Sequence, residues 1–577
     1  MKTLMLGNEA AARGLYEAGC AVVSSYPGTP STEITECAAK YDEIYAEWAP
    51  NEKVAMEVAF GAALAGKRSF CGMKHVGLNV AADPLFTISY TGVNAGMVIG
   101  VADDAGMHSS QNEQDSRHYA KAAKLPMLEP SDSAEAISFT KLAFALSERF
   151  DTPVLLKMCT RIAHSQSIVE TAAREEPPAR PYQKDAAKYV MMPGNAKRRH
   201  PVVEERLLAL ADYAETTSLN RVEEGSDASI GLICSSTAYQ YVKEACGDRY
   251  PVLKLGMIHP LPKRLILDFA AGVKRVVVVE ELDGFIEAHC SGLGLAVEGK
   301  SLFSAIGELS QNAVRRALGM TPAEGRDLEE SIPPRPPVMC AGCPHRGLFY
   351  TLKKHKLNVI GDIGCYTLGA TPPLTAIDAV ICMGASVSGL HGFNKAGADA
   401  HRTVAVIGDS TFMHSGMTGL VNIAYNDSNS TVIILDNSIT GMTGHQDNPT
   451  TGRNLKGDPA AKVDLEALCR ALGIRRVRVV DPYDLAACDR AVTEELAADE
   501  PSVIIARRPC ALLKYVRHNG PLTVDADKCR GCGKCMQIGC PAISIADRKA
   551  SIDNTLCTGC GVCSQLCSFG ALGGEGK

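Results

Sequence analysis

The chain has 577 residues, length for about three to five domains of ordinary size, and 46% of them are hydrophobic, which allows large buried cores. A net charge of -6 leaves no basic face for nucleic acid, and no uninterrupted apolar run reaches membrane-spanning length. The opening MKTLMLGNEAAARGLYEAG lacks the basic, apolar, small-residue order of a signal peptide.

From the N-terminus, short β-branched runs alternate with helical patterns rich in Ala, Gly and Leu, the pattern of parallel sheets covered by helices. The expected fold class is α/β. A first unit is expected over residues 1–180, with strands at 21–23 and 98–101. The polar stretch REEPPARPYQKDAAKYVMMPGNAKRRH breaks the alternation, so residues 181–226 read as a linker or irregular crossover. A second unit, 227–330, carries strands in SIGLIC and KRVVVVEE and fades by residue 325. EESIPPRPPV, at 329–338, holds four prolines in ten residues and can continue neither a helix nor a central strand. A third α/β unit is expected over 338–515 and a cysteine-rich tail over 520–577.

Within the third unit, TVAVIGDSTFMHSGMTGLVNIAYNDSNSTVIILDNSITGM reads as a strand ending at Gly408-Asp409, a helix, and a second strand ending at Asp436-Asn437. Two adjacent parallel strands would bring Asp409 and Asn437 together at the carboxyl edge of the sheet, where open α/β folds bind ligands. Their side-chain oxygens, with a backbone carbonyl, water and two phosphate oxygens, would suit an octahedral magnesium ion and hence a diphosphate. Glycines 408, 416 and 419 are expected to let the backbone approach it. The simpler reading is a strand-end GD beside an unrelated DN turn.

The tail carries CRGCGKCMQIGCP at 529–541 and CTGCGVCSQLC at 557–567. In two-cluster ferredoxins each such run lends its last cysteine to the other cubane. Cys529, Cys532, Cys535 and Cys567 are therefore assigned to one 4Fe-4S centre, and Cys557, Cys560, Cys563 and Cys540 to the other. Four residues rather than the usual three precede Cys540, and no proline follows Cys567, yet no ligand is lost. Zinc ribbons also use C-x2-C pairs, but eight cysteines in two crossed runs, with Pro541 after Cys540, favour iron and sulfide. Because these ligands must stay thiolates, the 22 cysteines argue against a disulfide framework and for a reducing cytoplasm.

The GDS…DN stretch resembles the thiamine diphosphate motif, GDG followed by NN, with Ser410 at the third position and Asp436 at the first asparagine. The resemblance implies Asp409, Asn437 and the carbonyl of Ile439 as magnesium ligands, and Gly408 and Ser410 as cofactor contacts. NEKVAMEVAFGAALAG, at 51–66, resembles the pyrimidine-binding helix of thiamine enzymes, with Ala55, Ala59, Gly61 and Ala63 on its small positions. That implies Glu52 as the carboxyl that activates the aminopyrimidine; Glu57 is the competing choice, and an exposed Glu on an Ala-rich helix the bland one.

GNEAAARGLYEAGCAVVSSYPGTPSTEITE resembles the opening of 2-oxoacid:ferredoxin oxidoreductases, which implies Thr29 as a substrate or cofactor contact, although Pro27, Gly28 and Pro30 already explain a turn. Lys74, His75, Arg117 and His118 are read as lining the same cavity. Cys340, Cys343, Cys365 and Cys510 match, in order and approximate spacing, the family's cluster nearest thiamine, implying a third 4Fe-4S centre. Alternatively Cys340 and Cys343 are structural, Cys510 is a small buried hydrophobe, and Cys365 contacts the cofactor without touching iron.

The order of parts resembles the α subunits of the family's indolepyruvate branch: pyrimidine domain, transketolase-C-like domain, diphosphate domain and two-cluster tail. This implies oxidative decarboxylation of aryl pyruvates with coenzyme A, giving arylacetyl-CoA and reduced ferredoxin. It also implies a smaller β subunit carrying the γ domain, in an α2β2 heterotetramer. Two rival readings share the motifs: a non-oxidative thiamine-dependent decarboxylase or lyase, and an electron-transfer subunit with a vestigial thiamine fold.

Overall fold

β-Branched runs with no polar interruption make strands buried on both faces, and such strands dominate the sheets of this chain. A computed structural model describes residues 2–178, 180–325 and 330–573. The chain divides into two units, 1–328 and 329–577; the break falls at the start of the proline-rich segment, whose first residue, Glu329, lies outside the described residues.

Besides the antiparallel pair Lys2–Leu6 with Gln166–Glu170, the described residues of the first unit form two larger sheets. The larger has seven strands in the order Met257–His259, Met127–Leu128, Val154–Cys159, Met97–Asp103, Ser69–Lys74, Val22–Ser25, Tyr45–Trp48. All its pairs are parallel except the edge formed by Met257–His259. The smaller has the order Val297–Glu298, Val276–Val279, Gly231–Ser235, Val252–Leu255, Asn220–Glu223. The strands expected around 21–23, 98–101, SIGLIC and KRVVVVEE are all present.

Two boundaries differ from the sequence reading. Residues 181–226 are not irregular throughout: they contain the helix Pro193–Ala214 and the strand Asn220–Glu223. Pro193 is tolerated at the helix start, where its missing N–H would have had no partner. The helix docks through arginines as well as through Val203 and Leu210: Arg199 Nε donates to Tyr90 O (2.7 Å), and the buried Arg206 donates to Asp151 O (2.8 Å). The halves 1–180 and 227–330 are also not separate bodies, since Met257–His259 pairs with Met127–Leu128 and one apolar core runs from Met56 and Met127 to Ile258 and Ile286.

Arg117, read from sequence as a cavity residue, is a structural clamp. It is buried, with Nη2 2.6 Å from Asp115 and Nη1 2.6 Å from Glu280, and Nη2 also donates to the carbonyls of Glu281 and Asp283. It thereby ties the segment after strand Met97–Asp103 to the loop after strand Val276–Val279. His118 pairs with Asp283 at the surface (2.9 Å).

The second unit is built on a parallel sheet of five strands, in the order Asn358–Ile360, Thr403–Gly408, Thr431–Asp436, Ser502–Arg507, Arg476–Val480. Separate apolar cores cover its two faces. The tail adds the hairpin Ile543–Ala546 with Lys549–Ile552 and pairs Thr523–Val524 with Leu572–Gly573. Its own small core, including Leu522, Ile538 and Val562, packs against Tyr350, Tyr483 and Leu485 of the sheet domain. Among the described residues no helix is long and apolar enough to cross a membrane.

Removing Arg117 leaves Asp115 and Glu280 buried without their cation, a change that costs about 3–5 kcal/mol. Arg117→Ala should lower the urea midpoint of unfolding accordingly; a loss below about 1 kcal/mol would reduce the clamp to an ordinary ion pair.

Candidate functional site

Strands Thr403–Gly408 and Thr431–Asp436 lie side by side in parallel, with Gly408 opposite Leu435. That register carries Asp409 and Asn437 past the same edge of the sheet. The side-chain amide of Asn437 faces two oxygens, Ile439 O at 2.8 Å and Asp409 Oδ1 at 3.1 Å, and with its nitrogen turned toward them it donates to both. Oxygens facing one another repel unless the amide turns to donate from its nitrogen or a cation sits among them. Adjacent ligands of a magnesium ion at 2.0–2.1 Å are about 2.9 Å apart, so the same corner, with the amide oxygen turned inward, has the spacing of a cation site as well as that of a hydrogen-bonded amide.

Asp409 is buried, and burial together with the neighbouring Asp436 pushes its carboxyl up to about 7. Its Oδ2 accepts from Thr450 Oγ1 at 2.8 Å, and the Thr450 hydroxyl and N–H both meet Asn448. Asp436, standing where the motif has asparagine, is held by Arg507 Nε at 2.8 Å from the adjacent strand. Ser410 is buried and accepts from Thr440 Oγ1 at 2.9 Å. Helix follows at once, as Asp409–Thr411, a wider π-type turn Phe412–Gly416, and Met417–Tyr425.

The glycines expected to let the backbone approach a diphosphate also pack closely against protein atoms. A Cβ on Gly408 would lie 2.6 Å from the Tyr366 ring, on Gly416 2.6 Å from Ile407 Cδ1, and on Gly419 2.9 Å from Ser388 Oγ. Their absent side chains are therefore accounted for by close packing of Tyr366, Ile407 and the Ala385–Lys395 helix.

Cys340, Cys343, Cys365 and Cys510 line one cavity, together with Asn437, Gly441, His345 and His445. Pairing of strand Ser502–Arg507 with Thr431–Asp436 brings Cys510 there, and its N–H donates to Asn437 O at 2.9 Å. Cys365 comes from the short helix Cys365–Ala370, and Cys340 and Cys343 from the loop before helix His345–His355. That corner and this cavity thus share Asn437. Cys540, Cys557, Cys560 and Cys563 line a second cavity, and Cys529, Cys532, Cys535 and Cys567 a third. The crossed grouping read from the spacing is the grouping in space. Main-chain N–H groups aim at the sulfurs: Ala550 N at Cys529 (3.4 Å), Leu522 N at Cys557 (3.4 Å) and Ala571 N at Cys567 (3.3 Å). Cys532 is exposed, whereas Cys563 is buried.

In the first unit, Glu52 opens the helix Glu52–Leu64, capped by Asn51 Oδ1 accepting from Val54 N at 2.9 Å. Glu52 is buried, while Glu57 is exposed and paired with Lys53. Ala55, Ala59 and Ala63 are fully buried and Gly61 is exposed. A Cβ on Gly77 would lie 2.6 Å from Glu52 Oε1, so only glycine lets the next helix lie on that carboxyl. Thr29 follows strand Val22–Ser25 and its carbonyl accepts from Ser109 Oγ at 3.1 Å. Lys74 ends the neighbouring strand, donates from Nζ to Ser109 O at 2.9 Å, and has its basicity lowered by burial. His75 lies against Asn112 O. Thr29, Glu52 and Lys74 therefore stand at the carboxyl ends of three adjacent strands. Sequence reasoning missed Thr450, Asn448 and Tyr366; the polar NPTTG loop, 448–452, was the signal for the first two.

Residues 13–224 match the thiamine-diphosphate-binding domain of pyruvate flavodoxin/ferredoxin oxidoreductases, 362–506 the C-terminal binding domain of thiamine pyrophosphate enzymes, and 521–568 the 4Fe-4S dicluster domain. The indolepyruvate oxidoreductase subunit IorA of Archaeoglobus fulgidus is 42% identical, covering 98% of this chain and 96% of its own. Its namesake from Methanothermobacter thermautotrophicus is 41% identical over 100% and 98%, and that from Pyrococcus horikoshii 39% over 99% and 96%. The chain therefore belongs to the indolepyruvate oxidoreductase subunit IorA family, oxidoreductases of the thiamine diphosphate- and 4Fe-4S-dependent 2-oxoacid:ferredoxin class.

Proposed function

We propose that this subunit oxidatively decarboxylates an aryl pyruvate, with one 2-oxo acid, one coenzyme A and two oxidised ferredoxins giving the acyl-CoA, carbon dioxide, a proton and two reduced ferredoxins. The observation that carries the reading is the shared wall, at Asn437, between the cradle formed by Asp409, Asn437 and the Ile439 carbonyl and the four-cysteine cavity. A non-oxidative lyase has no use for that adjacency, and a purely electron-carrying subunit has no use for the cradle.

Asp409, Asn437 and the Ile439 carbonyl would hold magnesium against the diphosphate. Bound thiamine diphosphate supplies the electron sink that permits decarboxylation. Glu52, buried at the head of its helix, keeps a carboxyl ready to hydrogen-bond the aminopyrimidine. Thr29 and Lys74 offer a hydroxyl and a cation suited to a 2-oxo acid carboxylate. The three cysteine groups would hold three 4Fe-4S centres, the one at Cys340, Cys343, Cys365 and Cys510 nearest the cofactor. The aryl pyruvate and a partner subunit are supported by the names of the relatives, each an indolepyruvate oxidoreductase subunit; the smaller β subunit and the α2β2 assembly follow from the family resemblance. The cytoplasm suits reduced thiolates.

With its partner subunit present and air excluded, the protein should reduce ferredoxin with indolepyruvate or phenylpyruvate and coenzyme A; carbon dioxide release without ferredoxin reduction would sink the oxidative reading. Asp409→Ala should weaken magnesium-dependent thiamine diphosphate binding by about 100-fold or more in calorimetry. Glu52→Gln should keep the cofactor and lose about 100-fold or more in turnover. Iron analysis should find about twelve atoms per chain, at four per centre, and about eight in Cys365→Ser; eight in the unmodified protein would remove the third centre.

A further inference from the structure

Arg346 is the second residue of helix His345–His355 and is only 4% exposed. A guanidinium carried into the interior normally meets a carboxylate, because an unpaired buried charge costs several kcal/mol. Among the described residues Arg346 donates only to main-chain carbonyls: Nε and Nη2 to Cys340 O (both 3.2 Å), Nη1 to Ile538 O (3.1 Å), and the same two terminal nitrogens to Met339 O and Gly539 O. Burial lowers its basicity, which the nearby sulfurs of Cys540, Cys343, Cys340 and Cys560 partly offset.

These contacts place the cation at a junction. Arg346 and Cys343 both line the cavity of Cys540, Cys557, Cys560 and Cys563, and Cys343 also lines the cavity of Cys340, Cys365 and Cys510. The loops bearing the two groups touch: a Cβ on Gly342 would lie 2.2 Å from Thr558 Oγ1. Arg530 and Lys534, beside the outer cysteine group, are by contrast exposed, so solvent screens them.

We propose that Arg346 is a positioning residue that raises the reduction potential of the 4Fe-4S centre at Cys540, Cys557, Cys560 and Cys563, so that this centre draws electrons from the one at Cys340, Cys343, Cys365 and Cys510. The inference rests on the cluster reading above. Each transfer oxidises the inner centre and reduces its neighbour by one electron, with no proton moved. The reduced cubane carries one more negative charge, and a fixed buried cation favours it more than it favours the oxidised form.

The test is a redox titration of the anaerobic holoenzyme followed by electron paramagnetic resonance, comparing wild type with Arg346→Gln and Arg346→Lys. In Arg346→Gln, one centre should become about tenfold harder to reduce, about 59 mV for one electron, while the signal of the outermost centre stays in place. Arg346→Lys keeps the charge and should shift less than about threefold. Unchanged potentials in a Gln variant of full iron content, or equal shifts of all centres, would overturn the proposal. If the Gln variant loses iron, Arg346→Met, neutral and of similar length, takes its place: a tenfold shift of one centre supports the role of charge, and unchanged potentials refute it. Wild-type protein without cluster signals would instead remove the reading of the cysteines themselves.

Discussion

Everything at the centre of the second unit depends on one parallel pairing, strand Thr403–Gly408 against Thr431–Asp436 in the register that sets Gly408 opposite Leu435. Shifted by one residue, every side chain on one strand would change faces. Asp409 and Asn437 would then leave the edge at different depths, and the three groups of the cradle would no longer converge. The pairing is secured by continuous β-branched burial, with every residue of both strands inaccessible, and by Arg507 reaching across to Asp436 from the next strand. That next strand, Ser502–Arg507, delivers Cys510 to the carbonyl of Asn437. A single sheet edge thus sets the spacing between an ion-binding corner and a sulfur-lined cavity.

The tail is joined to this sheet domain by specific polar contacts as well as by apolar packing. Gln565 donates to Tyr483 O and accepts from Leu485 N, and Arg346 Nη1 donates to Ile538 O. Electron transfer between centres is sensitive to separation, and these contacts fix the loops that would hold them. On the proposed reading, the second unit alone carries the whole route from metal corner to outermost cubane.

Much of this was legible in the sequence, and for a physical reason: the informative signals are local. A continuous apolar run ending in GD, another ending in DN, and cysteines at short fixed spacing need no knowledge of the rest of the chain, and the structure brings the cysteines together in the groups that the spacing suggests. What escaped reading depends on distant pairings. Met257–His259 crosses to the first sheet through contacts that no local pattern announces. The helix Pro193–Ala214 reads as a polar linker because arginines reaching carbonyls do part of the docking that leucines usually do. Arg117 sits in a polar run whose exposed-looking composition hides a fully buried ion triad. The glycines after Asp409 invited a phosphate-loop reading, and the space beside them is also filled by Tyr366, Ile407 and Ser388.

The outermost cysteine group opens to solvent at Cys532. On the proposed reading, this is where a docking protein can approach iron closely enough for tunnelling. Dioxygen is smaller than any such protein and uses the same opening. On that reading the doorway that gives the enzyme its outlet would also be where corrosion by air begins, ahead of the centre at Cys540, Cys557, Cys560 and Cys563, where Cys563 and the neighbouring Arg346 are buried.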